Sequence, residues 1–237
     1  MKSYLIYLTA LLAAGPLLAA DKDDVKAAAQ KLKDSDSYSW TSTMESPQFS
    51  PGPSHGKTQK DGLVWQDFTT QDNTIEVFAK EGKGAIKTED GWESLDDAAK
   101  DDGGGQFNFK RFMAMRMKDF KAPAAQAADI LDKSKELTKE GDAYSGDLTE
   151  EGAKALMTFG RGRRGGQGGP PPISNAKGTV KFWVKDGVLT KFVTKVSGSM
   201  KNRDGDDMDI ERTTTVEIKD VGATNIKVPD EARKKMG

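Results

Sequence analysis

GTVKFWVKDGVLTKFVTKVSGSMKNRDGDDMDIERTTTVEI, residues 178–218, is the stretch that decides the fold. Asp186 and Gly187 form a two-residue turn of the kind that needs positive φ and matches the twist of paired strands. A polar tip at residues 202–207 turns the chain a second time. From Met208 to Lys219, apolar or long side chains alternate with charged and hydroxyl ones. This period of two predicts three long antiparallel strands with one buried face and one wet face.

The first half of the chain carries the same signals in shorter form. Strand patterns occur at residues 38–44, 56–60, 63–69, 74–79 and 85–88, and Asp61-Gly62, Glu81-Gly82 and Asp90-Gly91 follow three of them. Such dipeptides between alternating runs are the strongest short-range hairpin signal. The pattern therefore predicts a series of hairpins before the middle of the chain.

The middle and the two ends read as helices. Helical spacing or capping signals occur at residues 21–33, 107–120, 123–131, 150–157 and 230–235. A small hairpin is predicted at 136–146 and a last strand at 224–228. Residues 158–172, rich in Arg, Gly and Pro, read as a flexible loop because they cannot bury enough apolar surface to order themselves. Together these elements predict an α+β fold: one antiparallel sheet with helices on one face, in a single domain of residues 21–237.

Residues 1–20 have the features of a cleaved secretion signal. Lys2 is followed by an apolar run, and Ala19 and Ala20 are small residues suited to cleavage before Asp21. The run is shorter than the ~20 apolar residues of a spanning helix, so we do not expect an integral membrane protein. The chain has 0 Cys, so we expect an exported, periplasmic or extracellular bacterial protein without a lipid anchor or disulfides.

The charge balance excludes one class of partner. Lys and Arg total 36 and Asp and Glu total 37, and removal of Lys2 with the signal leaves 35 against 37, a net charge of about −2. A nucleic-acid-binding domain normally carries a basic excess, so no nucleic-acid partner is expected.

The residues offer little catalytic chemistry. The single histidine, His55, lies between Pro53 and Gly56 and could act as a base or a ligand, but a solvent-exposed loop histidine is the favoured reading. No cysteine and no Gly-x-Ser-x-Gly motif accompanies it. We therefore expect no enzyme and no cofactor.

Two charged clusters could bind ligands, but solvent-exposed surface is the favoured interpretation of each. Five carboxylates crowd the last hairpin tip and could bind Ca²⁺, although their spacing does not fit an EF-hand loop and favours a solvated turn: Asp204, Asp206, Asp207, Asp209 and Glu211. Three arginines among glycines could contact phosphates, but aromatic residues are scarce there and a surface loop is favoured: Arg161, Arg163 and Arg164.

The predicted helix at 107–120 is the most informative element for function. Its apolar side chains recur at one helical face: Phe109, Phe112, Met113, Met117 and Phe120. Such a face is either core that covers the sheet or the soft wall of a ligand cavity, because methionine adapts to varied apolar ligands. A cover helix can pack at its ends and open at its middle, so the two readings overlap.

The chain resembles the LolA-like group of periplasmic lipoprotein carriers and related mycobacterial lipid-handling lipoproteins. The resemblance is carried by YSW at 38–40, DGW at 90–92, the helical middle, AKGTVKFWV at 176–184 and VGATNIKVP at 221–229. It implies an open, curved antiparallel half-barrel whose concave face is covered by helices. It also implies a covered cavity that holds acyl chains or hydrophobic peptides.

The expected function is non-catalytic binding of an apolar lipid or lipidated protein by a monomer. The candidate ligand-contacting residues are Trp40, Trp65, Phe109, Phe112, Met113, Met117, Phe120, Phe182 and Phe192. The alternative is a structural or interaction protein of the cell envelope, with a self-filled core and an envelope protein as partner.

Overall fold

The computed structural model describes residues 15–47, 50–69, 74–101, 108–158, 173–201 and 206–237, with side chains from residue 21 onward. Within them, the strands are β1 Ser37–Glu45, β2 Ser54–Gln59, β3 Val64–Thr69, β4 Thr74–Lys80, β5 Lys83–Thr88, β6 Gly91–Ser94, β7 Ser134–Glu140, β8 Ala143–Leu148, β9 Ile173–Lys185, β10 Val188–Lys201 and β11 Asp207–Lys219. The helices are α1 Gly15–Lys33, α2 Leu95–Lys100, α3 Phe109–Lys118, α4 Pro123–Asp132, α5 Glu150–Thr158 and α6 Asp230–Lys235.

All eleven strands form one antiparallel sheet in the order β6-β5-β4-β3-β2-β1-β11-β10-β9-β8-β7. The first six strands form one half as successive hairpins, and β7 to β11 form the other half. The two halves join where β1 pairs with β11 along residues 39–45 and 213–219. The sheet is open and curved, and the predicted α+β half-barrel class is confirmed.

The predicted hairpin at residues 186–187 has the expected backbone. Asp186 has φ 54° and Gly187 has φ 71°, so both central residues of the turn lie in the left-handed region. This conformation gives a two-residue loop the twist that β9 and β10 need in order to pair. The turn therefore sets the register of two of the three longest strands.

The two faces of the sheet carry different layers. On the inner, concave face, α1 packs on β7, β9 and β10, α3 packs on β4 and β5, and α5 packs on β8, β9 and β10, while α4 lies against α1. These helices and the sheet enclose the main core. On the outer face, α6 and the segment before it cover β5 and β6, with a second small core.

Several elements differ from the sequence-based expectation. Residues 224–228 do not form a strand. The turn at Asp220 and Gly222, with φ 51° and 78°, directs them across the outer face. Strand β9 begins at Ile173 rather than at residue 178, and the short helix α2 was not predicted. His55 lies within β2 and not in a loop, because β2 begins at Ser54.

Some expectations fall on residues outside the described ranges. These are most of the signal sequence, the hairpin tip at 202–205 and the Arg/Gly/Pro segment from residue 159 to residue 172. Thr158, which we placed in that segment, is the last residue of α5.

Candidate functional site

The inner face of the first half of the sheet is organised in rows that cross the strands. One row consists of Trp40, Gly56, Gln66 and Val77, and all four residues are buried. The next row toward the ends of β1 and β3 consists of Ser42, Ser54, Phe68 and Ile75, and all four are half-buried. The helical cover therefore ends between these two rows. We call the half-buried side the open end of the half-barrel.

Trp40 lies on the inner face of the sheet, next to the open end, and fills the space there. Its indole lies flat across Gly56, where a Cβ atom would be 2.1 Å from the ring, so only glycine leaves room for it. On its other side, the Trp40 ring stacks on Phe120 with ring centres 6.0 Å apart and an interplanar angle of 14°. Trp40 is 3% exposed and belongs to the main core.

Tyr38 lies one row further from the open end. Its hydroxyl accepts a hydrogen bond from the backbone N–H of Ala124, at the start of α4, over 3.3 Å. Burial of the ring raises the pKa of Tyr38 to about 12. The contact joins β1 to α4.

Helix α3 forms the wall beside β4 and β5. Asn108 caps it, because its side-chain oxygen accepts the N–H of Arg111 over 3.0 Å. Met113 and Met117 are 1% and 2% exposed. Phe109 and Phe112, nearer the start of α3, are only half-buried, and their ring centres are 6.3 Å apart.

We use the name open-end cluster for six large apolar side chains on the elements that border the open end. All of its members are half-buried and pack against the main core: Phe68, Ile75, Phe109, Phe112, Leu156 and Ile210. The last two come from α5 and β11, on the side opposite α3. In the described part of the chain, the concave surface between α3 and α5 is thus apolar and incompletely covered.

Two arginines flank this cluster. The guanidinium carbon of Arg116 is 6.0 Å from the centre of the Phe68 ring, and burial lowers the pKa of Arg116. Arg212, on β11, donates a hydrogen bond to the carbonyl oxygen of Leu156 at the end of α5. The apolar surface therefore has cationic groups at both of its sides.

The sequence-predicted site residues occupy three kinds of position. Phe109, Phe112 and Phe120 are half-buried on the inner face. The others on that face are fully packed in the main core: Trp40, Met113, Met117, Phe182 and Phe192. Trp65 is not among them, because it lies on the outer face against the second core.

Sequence reasoning missed Phe68, Ile75, Leu156 and Ile210. The alternation of Val64, Gln66 and Phe68 along β3 places Phe68 on the inner face, but only the register across β2 and β4 shows how close it lies to the edge of the helical cover. Leu156 and Ile210 are far apart in sequence, and the hydrogen bond from Arg212 to the carbonyl of Leu156 joins their elements, β11 and α5.

The outer face has grooves of its own. A groove of about 370 Å³ lies over β1, β2 and β3 beside residues 220–225, and a second of about 290 Å³ continues past Trp65 toward Phe78. His55 faces the first groove, and its Nδ1 is 3.1 Å from a carboxylate oxygen of Asp67.

The acidic residues near the last hairpin are paired with polar or cationic neighbours. Asp207 pairs with Lys201 over 3.3 Å and Glu211 pairs with Lys195 over 2.9 Å, while Asp209 accepts a hydrogen bond from Ser199. Among the residues that the structure describes, no group of three or more His, Cys, Asp or Glu could hold a metal ion. No described helix combines the length and apolar character needed to cross a membrane.

Comparison with known proteins gives similarity to solved structures and none at the level of sequence families. No protein-family description matches the chain, and no curated protein matches it. Among solved structures, the chain is similar to LprF from Mycobacterium bovis with a TM-score of 0.48 and 11% sequence identity, over 90% of this chain and 98% of that one.

Proposed function

We propose that this protein is a non-catalytic binding protein that holds an apolar ligand on the inner face of its half-barrel. The ligand would be an acyl chain, free or attached to a protein, and the open end would be its point of entry. The observation that carries the proposal is the open-end cluster, in which six large apolar side chains stay half-exposed beside an otherwise buried core. Exposed apolar surface that is continuous and concave commonly marks a site for an apolar partner.

The mechanism would be reversible burial. An acyl chain gains about 0.8 kcal/mol for each CH₂ group removed from water, so a few methylenes against Phe68, Phe109 and Phe112 supply useful affinity. Arg116 and Arg212 would stay beside the chain and offer positive charge to an acidic head group. The signal-like sequence of residues 1–20 supports a location outside the cytoplasm, in the periplasm or beyond, as part of this proposal.

Gln66 places a polar side chain on the inner face of the sheet next to the open end. The side chain is 3% exposed, and its Oε1 accepts no hydrogen bond within the described part of the chain. An unsatisfied buried acceptor costs about 1–3 kcal/mol. A ligand hydroxyl or amide N–H that reached Gln66 would remove this cost.

A second candidate function has its own support. Met113, Met117, Phe182 and Phe192 are almost completely buried, so much of the inner face is already filled by the protein's own side chains. This packing favours a structural or interaction protein of the cell envelope, which would present its surface and not a cavity to a partner.

One pair of variants separates the two functions. Ser42 lies on the inner face in the half-buried row, whereas Thr43, the next residue on β1, points to the outer face and is also half-buried. We expect Ser42→Trp to fill the open end and abolish uptake of a fluorescent fatty acid, and Thr43→Trp to leave uptake intact. Thermal unfolding checks that both variants fold.

The natural ligand is sought separately. Mature protein purified from its host is extracted with organic solvent, and the extract is analysed by mass spectrometry for stoichiometric lipid. If the wild type takes up no fatty-acid probe and carries no lipid, the binding function is wrong and the interaction protein replaces it.

A further inference from the structure

The outer groove beside the C-terminal segment has an ordered polar floor. Its side chains come from two rows that cross β1, β2 and β3 in register: Thr41, His55 and Asp67 in one row, and Ser39, Lys57 and Trp65 in the other. The groove has a volume of about 370 Å³, within the usual range for small-molecule sites. It lies on the face opposite the open-end cluster, so the apolar site does not use it.

Three carboxylates hold three of these side chains in place. Asp67 receives both the backbone N–H of His55, over 2.8 Å, and its ring Nδ1, over 3.1 Å. Asp220 accepts the hydroxyl of Ser39 over 2.7 Å. Glu76 accepts the indole N–H of Trp65 over 2.8 Å. A floor whose side chains are already oriented loses less conformational entropy when it binds a ligand.

The wall of the groove is also fixed. After β11, the chain turns so that the N–H of Gly222 donates to the carbonyl of Ser37 over 2.7 Å. The N–H of Thr224 donates to the hydroxyl of the same serine over 3.0 Å. Ile226 then anchors the segment in the second core. The groove is therefore bounded by backbone that is tied to the sheet.

The groups on this surface define the ligand chemistry. The Thr41 hydroxyl and the Asn225 amide can each donate and accept, and Lys57 donates. The carboxylates of Asp67 and Asp220 accept, and the Ser39 hydroxyl, whose proton goes to Asp220, can only accept from a ligand. Because Asp67 occupies Nδ1 of His55, Nε2 is the ring nitrogen left for a ligand. Charges of both signs line the groove, so a strongly charged ligand gains little.

We propose that this outer groove binds a saccharide. Each sugar hydroxyl both donates and accepts hydrogen bonds, which matches the mixed set of donors and acceptors on the floor and wall. The N–H of Trp65 is already used by Glu76, and the Lys57 ammonium lies over the Trp65 ring, 5.1 Å from its centre. The part of the ring that borders the groove and that Lys57 leaves uncovered supplies the apolar contact for the sugar's C–H groups. His55, set aside as a loop residue from the sequence alone, is the central polar group of this site.

The test is a titration of the ¹⁵N-labelled mature protein with chitotriose and with maltotriose at millimolar concentration. We expect one of the trisaccharides to shift the Trp65 indole signal and the amide signals of His55 and Asp67. His55→Ala should weaken binding about tenfold, as loss of one good hydrogen bond predicts. Thr41→Val, which keeps the side-chain shape but removes the hydroxyl, should also weaken binding and serves as a second test if His55→Ala folds poorly.

Trp183→Phe is the matched control. Trp183 lies on the outer face over β9 between Lys181 and Lys191, away from the groove, and its loss should not alter the titration. The saccharide site is wrong if neither trisaccharide shifts these signals, or if His55→Ala and Thr41→Val bind as tightly as the wild type. Uptake of the fatty-acid probe should be unchanged in both variants, so the result is independent of the inner-face function.

Discussion

Met113 and Phe112 are neighbours on α3, yet they have different relations to the core. Met113 is 1% exposed, and its truncation leaves a cavity in a packed interior. We expect Met113→Ala to lower the free energy of unfolding by about 2–5 kcal/mol. Phe112 is half-buried at the open end, so Phe112→Ala should cost only about 1–2 kcal/mol while it reduces probe uptake.

Urea denaturation measures both values, and Met115→Ala is the control on the same helix. Met115 is 40% exposed, so its truncation should change stability by less than about 0.5 kcal/mol. Equal losses for Phe112→Ala and Met113→Ala would mean that Phe112 is ordinary core and that α3 offers no free wall to a ligand.

Tyr38 gives the fold a dependence on alkaline pH. Burial raises its pKa from 10.0 to about 12. Between these values the unfolded chain loses the phenol proton and the folded chain keeps it. The contribution of Tyr38 to the free energy of unfolding is therefore fully present below pH 10 and is lost as the pH rises toward 12. The loss should reach about 2–3 kcal/mol.

Denaturation at a series of alkaline pH values measures this loss, and variants separate Tyr38 from other alkaline effects. Tyr38→Phe should remove the part of the alkaline loss of stability that is due to Tyr38, whereas Tyr144→Phe should retain that part. If the wild type and Tyr38→Phe lose stability in parallel, the phenol of Tyr38 is not the group that titrates.

At the scale of elements, the C-terminal segment stabilises the outer face without pairing as a strand. Ile226 is 9% exposed and packs with Phe78, Ala85 and Ala232, while Val221, five positions earlier, is 41% exposed. We expect Ile226→Ala to cost about 2–4 kcal/mol in chemical denaturation. Val221→Ala should cost less than about 0.5 kcal/mol. A negligible effect of Ile226→Ala would show that the second core contributes little.

The same segment shows which elements local sequence can predict. Asp186 and Gly187 form their hairpin because both residues tolerate positive φ, a property of the residues themselves. Residues 224–228 have strand-like composition as well. Their path depends instead on Ser37, which is far away in sequence and accepts hydrogen bonds from the N–H groups of Gly222 and Thr224. A pattern in the local sequence therefore cannot predict the path of residues 224–228.

At the scale of the whole molecule, the register of the strands decides what the site contains. From the sequence, both Trp40 and Trp65 are candidate ligand contacts. Cross-strand pairing sets Trp40 against Gly56 on the inner face and Trp65 against Lys57 on the outer face. The α3 part of the site follows from helical spacing, whereas Phe68 and Leu156 join it only through tertiary packing.

The open sheet has two edges, and both are protected against further pairing. Edge strand β6 has only four residues and leads directly into α2. Along edge strand β7, the carboxylate of Asp21 accepts the N–H of Lys139 over 3.1 Å, and the ammonium of Lys22 donates to the carbonyl of Ser134 over 3.0 Å. Short strands, lysines and covered backbone groups are the usual defences of an edge.

We therefore expect the mature protein to sediment as a monomer at micromolar concentration. Replacement of both Asp21 and Lys22 by alanine uncovers backbone groups of β7 and should promote self-association, whereas Lys26→Ala, an exposed position on the same helix, should not. Sedimentation velocity measures each species. A wild-type dimer would contradict the edge argument directly. A double variant that stays monomeric would show that the contacts of Asp21 and Lys22 are not what protects β7 from further pairing.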